Sequence, residues 1–163
     1  MKAELTLNLR TREVSKLFER RINSNTLFVE AILHKINKII AKANKQDLLA
    51  LKALSDIEQE LTLLTQKFTS ESKRLGDLIS KMKEFKDKKI NFVVQFHPTI
   101  EVTNPINLKL AELISGYDEL IATIKLLRLA GCFDSDESYF LNIKQYQKMA
   151  NRVLSGILIS NIK

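Results

Sequence analysis

The segment Glu4-Leu5-Thr6-Leu7-Asn8-Leu9-Arg10 alternates apolar and polar side chains at every second position. This period of two predicts a β-strand that buries its leucines and exposes Thr6, Asn8 and Arg10. A strand of this length is not stable alone and has to pair with another strand. Arginine hydrogen-bonds guanine edges, asparagine hydrogen-bonds adenine edges, and a two-stranded ribbon fits the major groove of DNA. The opening segment therefore predicts a short antiparallel ribbon whose exposed row contacts DNA bases.

The composition of the 163 residues favours a mainly helical protein, because apolar residues make up 45% and there are only 4 glycines and 2 prolines. The single cysteine, Cys132, excludes an intramolecular disulfide, and two histidines argue against a histidine-based zinc site. No apolar stretch approaches about 18 residues. The N-terminus has no secretory signal pattern. We therefore expect a cytoplasmic protein with no membrane span, metal or cofactor.

The net charge of +7 is concentrated near the opening strand. Residues 1–45 carry ten basic against four acidic residues, whereas 46–90 carry nine against eight and 91–163 carry seven of each. A localised basic excess is the electrostatic signature of a protein that binds a polyanion. A basic surface that serves only solubility is the alternative. The predicted phosphate contacts in this segment are Arg12, Lys16, Arg20 and Arg21.

Two helices are predicted to follow the strand within the first 45 residues. Thr11 can cap a short helix, and the polar turn Asn23-Ser24-Asn25-Thr26 separates it from a second helix over 27–43. Asn25 or Thr26 is the predicted N-cap of that second helix. The order is therefore strand, short helix, turn and longer helix.

A long heptad pattern over 46–88 predicts an extended helix. Apolar residues recur every seven positions from Leu54 and again from Ile57, and only Glu71 interrupts the second set. Ser70, Ser72 and Gly76 indicate a possible kink. These two sets of apolar residues form one seam along the helix, called the heptad seam. The heptad seam is compatible with packing inside the chain or with a coiled coil between chains.

The last third of the chain predicts strands followed by helices. Residues 90–96 are β-branched and aromatic, His97-Pro98 interrupts them, and 99–103 alternate again. Asn104 and Pro105 are suited to start an apolar helix over 106–130, which should be the most buried element. Asp134, Ser135 or Asp136 should open a final helix over about 137–160. These segments give three expected regions, namely 1–45, 46–89 and 90–163.

The order of strand, helix and helix with a basic charge resembles the ribbon-helix-helix DNA-binding domain of the Arc and MetJ repressor type. In that family, alternate strand residues touch bases, and the start of the second helix holds a phosphate. The resemblance implies base contacts from Thr6, Asn8 and Arg10, and phosphate contacts from Asn25 and Thr26. The chain departs from the family at the turn, where Asn23-Ser24-Asn25 stands in place of the usual glycine.

A second resemblance covers most of the chain. The opening strand, the segment from Val102 to Pro105, and the segment Leu113-Ile114-Ser115-Gly116-Tyr117-Asp118-Glu119-Leu120 are similar to a family from integrating conjugative elements and conjugative plasmids. That family includes the AcaB-type transcriptional regulators. The resemblance implies a ribbon-helix-helix regulator of transfer genes on a mobile element.

Two architectures are compatible with these observations. In the first, the strand over 4–10 pairs with the same strand of a second copy, and the homodimer binds a pseudo-palindromic site on double-stranded DNA. In the second, which ranks lower, it pairs within the chain with 99–103. No catalytic constellation, phosphate-binding loop or small-molecule site is evident, so we do not expect an enzyme. The alternative function is a helical scaffold of a conjugation apparatus that binds a partner helix through the heptad seam.

Overall fold

The computed structural model describes residues 2–85 and 88–160, and the chain is mainly helical there. A short 3₁₀ turn, Lys83–Phe85, follows the longest helix. The other elements in chain order are β1 (Ala3–Thr6), α1 (Arg12–Glu19), β2 (Arg21–Asn23), β3 (Thr26–Leu27), α2 (Phe28–Ala43), α3 (Leu48–Ser80), β4 (Thr99–Val102), α4 (Pro105–Leu129) and α5 (Asp136–Leu158).

Helix α4 is the centre of the hydrophobic core, as its apolar pattern predicted. Thirteen of its 25 residues are buried, and buried side chains from all five helices form one continuous cluster with them. The Asn104 side chain accepts a hydrogen bond from the Asn107 backbone N–H, and Pro105 occupies the first turn. Ser135 caps α5 in the same way through the Ser138 N–H. Both predicted helix starts are confirmed.

The heptad seam of α3 packs inside the chain. Leu61 and Phe68 are fully buried, and α3 packs against α2, α4 and α5. The helix continues unbroken through Ser70–Gly76 and ends at Ser80, earlier than the heptad pattern suggested. The polar interruption is satisfied locally, because Glu71 pairs with Arg74 at 2.8 Å and accepts a hydrogen bond from the Tyr146 hydroxyl at 3.0 Å.

The pKa values of Glu71 and of two buried tyrosines, Tyr146 and Tyr117, are shifted from their usual values. The hydrogen bonds from Arg74 hold the pKa of Glu71 below its usual value. Burial and the hydrogen bond to Glu71 raise the pKa of Tyr146 to about 12. Burial, with a contribution from Glu13, also raises the pKa of Tyr117. All three groups therefore keep their usual charge states at neutral pH.

Strand β1 pairs antiparallel with β4 of the same chain, in a register that places Glu4 opposite Glu101 and Thr6 opposite Thr99. This is the second of the two predicted architectures. The ladder continues irregularly, since the Leu7 N–H donates to the Pro98 carbonyl at 2.9 Å. Beyond it, the N–H groups of both Gln95 and Phe96 donate to the Leu9 carbonyl. Two residues facing one carbonyl form a β-bulge.

The predicted strand over 90–96 was wrong except for the bridge between Phe96 and Leu9. Residues 90–95 have strand-forming composition. However, the opposing segment turns into α1 after Leu9, so these residues have no strand to pair with. The alternation over 99–103 is confirmed by β4.

The polar turn between the first two helices is a β-hairpin. Its two turn residues are Ser24 and Asn25, and Arg21 pairs with Leu27 across it. Because Thr26 and Leu27 belong to β3, α2 starts only at Phe28, and the N-cap position is Leu27 without a side-chain cap. The prediction that Asn25 or Thr26 caps this helix was wrong for that reason.

No helix in the described part of the chain combines the length and hydropathy needed to cross a membrane.

Candidate nucleic-acid interface

A buried carboxylate fixes the end of the opening strand against α4. Asp118 is 2% exposed, and it accepts hydrogen bonds from the Thr11 N–H at 2.9 Å, the Thr11 hydroxyl at 2.7 Å and the Arg10 N–H at 3.0 Å. Thr11 occupies the N-cap position of α1, but its hydroxyl donates to Asp118 instead of capping the helix. Asp118 therefore sets where α1 begins relative to α4. An aspartate inside an apolar helical stripe is the sequence signal for this role.

The side chain of Arg10 is engaged by the same carboxylate. Its Nε atom lies 3.5 Å from Asp118 Oδ2, and the side chain is 28% exposed. The guanidinium group is thus held towards α4 by the buried Asp118 carboxylate. This differs from the free arginine that the alternating pattern suggested.

Thr6 at the end of β1 and Asn8 just beyond it are both exposed, as the alternation predicted. The Asn8 Oδ1 atom lies 3.0 Å from His97 Nδ1 across the ladder. Thr6 and Asn8 line a groove of about 650 Å³, and Glu112 and Glu119 of α4 line the same groove.

The same face of the ribbon carries further acidic charge, because Glu4 and Glu101 stand opposite each other on it. Lys2 forms an ion pair with Glu101 at 3.2 Å. Four carboxylates therefore lie near the row formed by Thr6 and Asn8, and one of them, Glu101, is neutralised by Lys2. Carboxylates at such positions repel the phosphates of an approaching duplex.

A basic row lies on α1 and continues into the hairpin. Arg12 and Lys16 are four residues apart on the helix, Arg20 follows at the same spacing, and all three are exposed. Arg21 is the next residue and starts β2. These four residues are called the α1 basic row.

Two contacts set the charge and geometry of the α1 basic row. The carboxylate of Glu13 is turned towards α4 and forms an ion pair with Lys125 at 2.7 Å. The guanidinium carbon of Arg20 lies 4.1 Å from the centre of the Phe28 ring. Stacking of this kind holds an arginine in place while leaving its N–H groups available.

The β2–β3 hairpin projects from the protein. Residues 19–25 are all exposed. All three residues of β2 are exposed, so neither face of this strand is buried. Asn25 lies at the turn and Thr26 in β3, so neither is at the helix start where a phosphate contact was expected.

A second basic row on α2 was missed by the sequence analysis. Lys35, Lys38 and Lys42 recur at helical spacing. Burial, followed by repulsion from Lys38 and Lys42, lowers the pKa of Lys35. The apolar stripe of α2 dominated the sequence pattern. The spacing of these lysines by three and four positions was the signal that could have identified the row.

Within the described residues, no group of three or more histidine, cysteine, aspartate or glutamate side chains is placed to hold a metal ion.

The family model described as "Transcriptional regulator AcaB" matches residues 1–151 of the chain. Among solved structures, the crystal structure of selenomethionine-containing AcaB from uropathogenic E. coli is similar, with a TM-score of 0.73. The two chains are 18% identical over 96% of this chain and 77% of that one, so the likeness concerns the fold. No curated protein is similar enough to this chain to count as a match.

Proposed function

This chain belongs to the AcaB family of transcriptional regulators, and from that membership we propose that it binds double-stranded DNA in a sequence-specific manner. The family resemblance further suggests that its targets are conjugative-transfer genes on a mobile element. A regulator of this kind acts by occupying DNA, which requires no catalytic group.

The observation that carries the proposal is the α1 basic row. Four exposed cations follow one another from the start of α1 into the hairpin. Of the two acidic residues in this stretch, Glu13 is paired with Lys125 and Glu19 is exposed, so the positive charge is in excess. Lysine and arginine that neutralise phosphates release counterions, and this release provides most of the sequence-independent affinity of a DNA-binding protein. The α1 basic row therefore has the charge and accessibility of a phosphate-binding surface.

The ribbon row is less suited to the same task. Arg10 is held by Asp118, and carboxylates flank Thr6 and Asn8. A homodimer with a ribbon shared between copies is also less favoured, because β1 already pairs with β4. Dimeric binding stays part of the proposal on the general ground that two-fold symmetric regulators match pseudo-palindromic sites.

The alternative function of a scaffold depended on a heptad seam free to bind a partner helix. The buried residues of that seam, including Leu61 and Phe68, pack against other helices of the same chain. The structure therefore offers no specific observation that favours the scaffold.

Arg20→Ala should weaken binding to every DNA sequence to a similar extent. Because one phosphate contact is lost, the slope of log K against log salt should become shallower by about 0.9. Fluorescence anisotropy of a labelled random-sequence duplex, titrated at several salt concentrations, measures this slope.

Lys67→Ala is the matched control for this experiment, since Lys67 lines a separate groove between α3 and α5. Its slope should equal that of the unmodified protein. Thermal unfolding of both variants checks that loss of the stacking on Phe28 has not altered the fold. Equal slopes for Arg20→Ala and Lys67→Ala would count against the α1 basic row as the DNA surface.

A further inference from the structure

We propose that the β2–β3 hairpin, residues 21–27, is the element that enters the major groove and reads bases. The inference rests on the DNA binding proposed above and assigns base recognition to a surface other than the β1–β4 ribbon. It follows from the exposure, the side-chain chemistry and the surrounding charge of the hairpin.

The hairpin is free of the core along its first strand and its turn. Residues 21–25 are exposed without interruption, and Ile22 is 49% exposed although it is apolar. β2 makes a few contacts with α2, but its exposed side chains stay available to a partner. A two-stranded antiparallel ribbon of this kind has dimensions that fit the major groove of DNA.

The side chains of the hairpin match base edges. Arginine forms paired hydrogen bonds with guanine, asparagine does so with adenine, and apolar groups contact the thymine methyl. Arg21, Asn25 and Ile22 are of these three kinds, but Arg21 and Ile22 are consecutive in β2, and consecutive strand side chains point to opposite faces. Arg21 and Asn25 therefore carry the proposed base contacts.

Internal hydrogen bonds hold the hairpin in a defined shape. Arg21 Nη1 donates to the Ser24 carbonyl at 3.2 Å, and the Asn25 N–H donates to Asn23 Oδ1 at 2.9 Å. Arginine has five N–H donors, so Arg21 keeps donors for a base after making this contact. A preorganised element loses less conformational entropy when it binds.

The charge around the hairpin distinguishes it from the ribbon. Arg20 lies immediately before β2 and is stacked on Phe28, while Arg12 and Lys16 continue the positive charge along α1. Contacts to the phosphates fix the position of a protein on the duplex, and contacts to base edges specify the sequence. The hairpin is next to the positioning contacts and has one exposed carboxylate, Glu19, shortly before it, whereas four carboxylates lie near the ribbon.

Selection from a random double-stranded DNA library tests this assignment. The full chain is compared with the hairpin variants Arg21→Ala and Asn25→Ala and with the ribbon variants Thr6→Ala and Asn8→Ala. The unmodified protein should enrich a motif. Each hairpin variant should lose discrimination at one or two positions by about 5- to 150-fold, the equivalent of the 1–3 kcal/mol of a paired base contact. The ribbon variants should enrich the unchanged motif.

The possible outcomes separate the two levels of the proposal. If the hairpin variants enrich the original motif at full strength, the hairpin assignment is overturned while sequence-specific binding stands. If the unmodified protein enriches no motif, the proposed function fails and the assignment fails with it. Circular dichroism and thermal unfolding establish that each variant is folded, and Asn25→Ala at the turn provides a readout even if Arg21→Ala disturbs β2.

Discussion

Replacing Asp118 with alanine should lower the free energy of unfolding by about 2–4 kcal/mol. The substitution leaves the backbone N–H groups of Arg10 and Thr11 and the Thr11 hydroxyl without their acceptor. A buried donor without a partner costs about 1–3 kcal/mol. The loss of the ion pair adds less, because the Arg10 side chain is 28% exposed and can be rehydrated.

Urea unfolding followed by circular dichroism measures this effect. Asp118→Asn keeps one carbonyl acceptor and should lose less stability than Asp118→Ala. Glu119→Ala, at the exposed neighbouring position, should change stability by no more than about 0.5 kcal/mol. An Asp118→Ala protein as stable as the Glu119→Ala protein would show that the carboxylate does not fasten the strand to α4.

Phe68→Ala should have the largest effect of any substitution in the seam, about 3–5 kcal/mol. Phe68 is fully buried. Its ring centre lies 5.6 Å from that of Tyr117 and 6.0 Å from that of Tyr146, so it joins α3 to both α4 and α5. Truncation removes these aromatic contacts and leaves a cavity that close-packed helices cannot fully fill.

The matched control is Leu63→Ala on the same helix, where the leucine is 56% exposed and the expected change is within about 0.5 kcal/mol. Urea unfolding at two protein concentrations distinguishes packing inside the chain from packing between chains. The stability lost by Phe68→Ala should not depend on concentration. Equal stabilities for the two variants, or a concentration-dependent loss, would contradict the packing of the seam within one chain.

The parts of the fold that local patterns specify were predictable. The apolar stripes gave α2, α4 and α5 to within a few residues, because a helix that buries one face repeats every 3.6 positions. Asn104 and Ser135 marked helix starts through their capping side chains. The alternation of the opening segment correctly predicted the burial of Leu7 and Leu9.

The parts that depend on distant partners were not predictable in the same way. The period of a strand does not state which strand it pairs with, so the two architectures for β1 could not be separated. Residues 90–95 have strand-forming composition but no neighbouring strand. The contact from Asp118 to Thr11 spans 107 residues, and only the family resemblance drew attention to that segment. Three of the four carboxylates near Thr6 and Asn8 come from α4 and β4, and for that reason the ribbon looked better suited to DNA in the sequence than in the structure.

The salt dependence of DNA binding by the unmodified protein is the most direct test of the α1 basic row as a phosphate-binding surface. Phosphate contacts from Arg12, Lys16 and Arg20, together with a phosphate contact from Arg21 where it meets no matching base, should give a slope of log K against log salt of about −3.6 per bound chain on a random-sequence duplex. A slope near zero, or no binding to the duplex at low salt, would contradict the proposal.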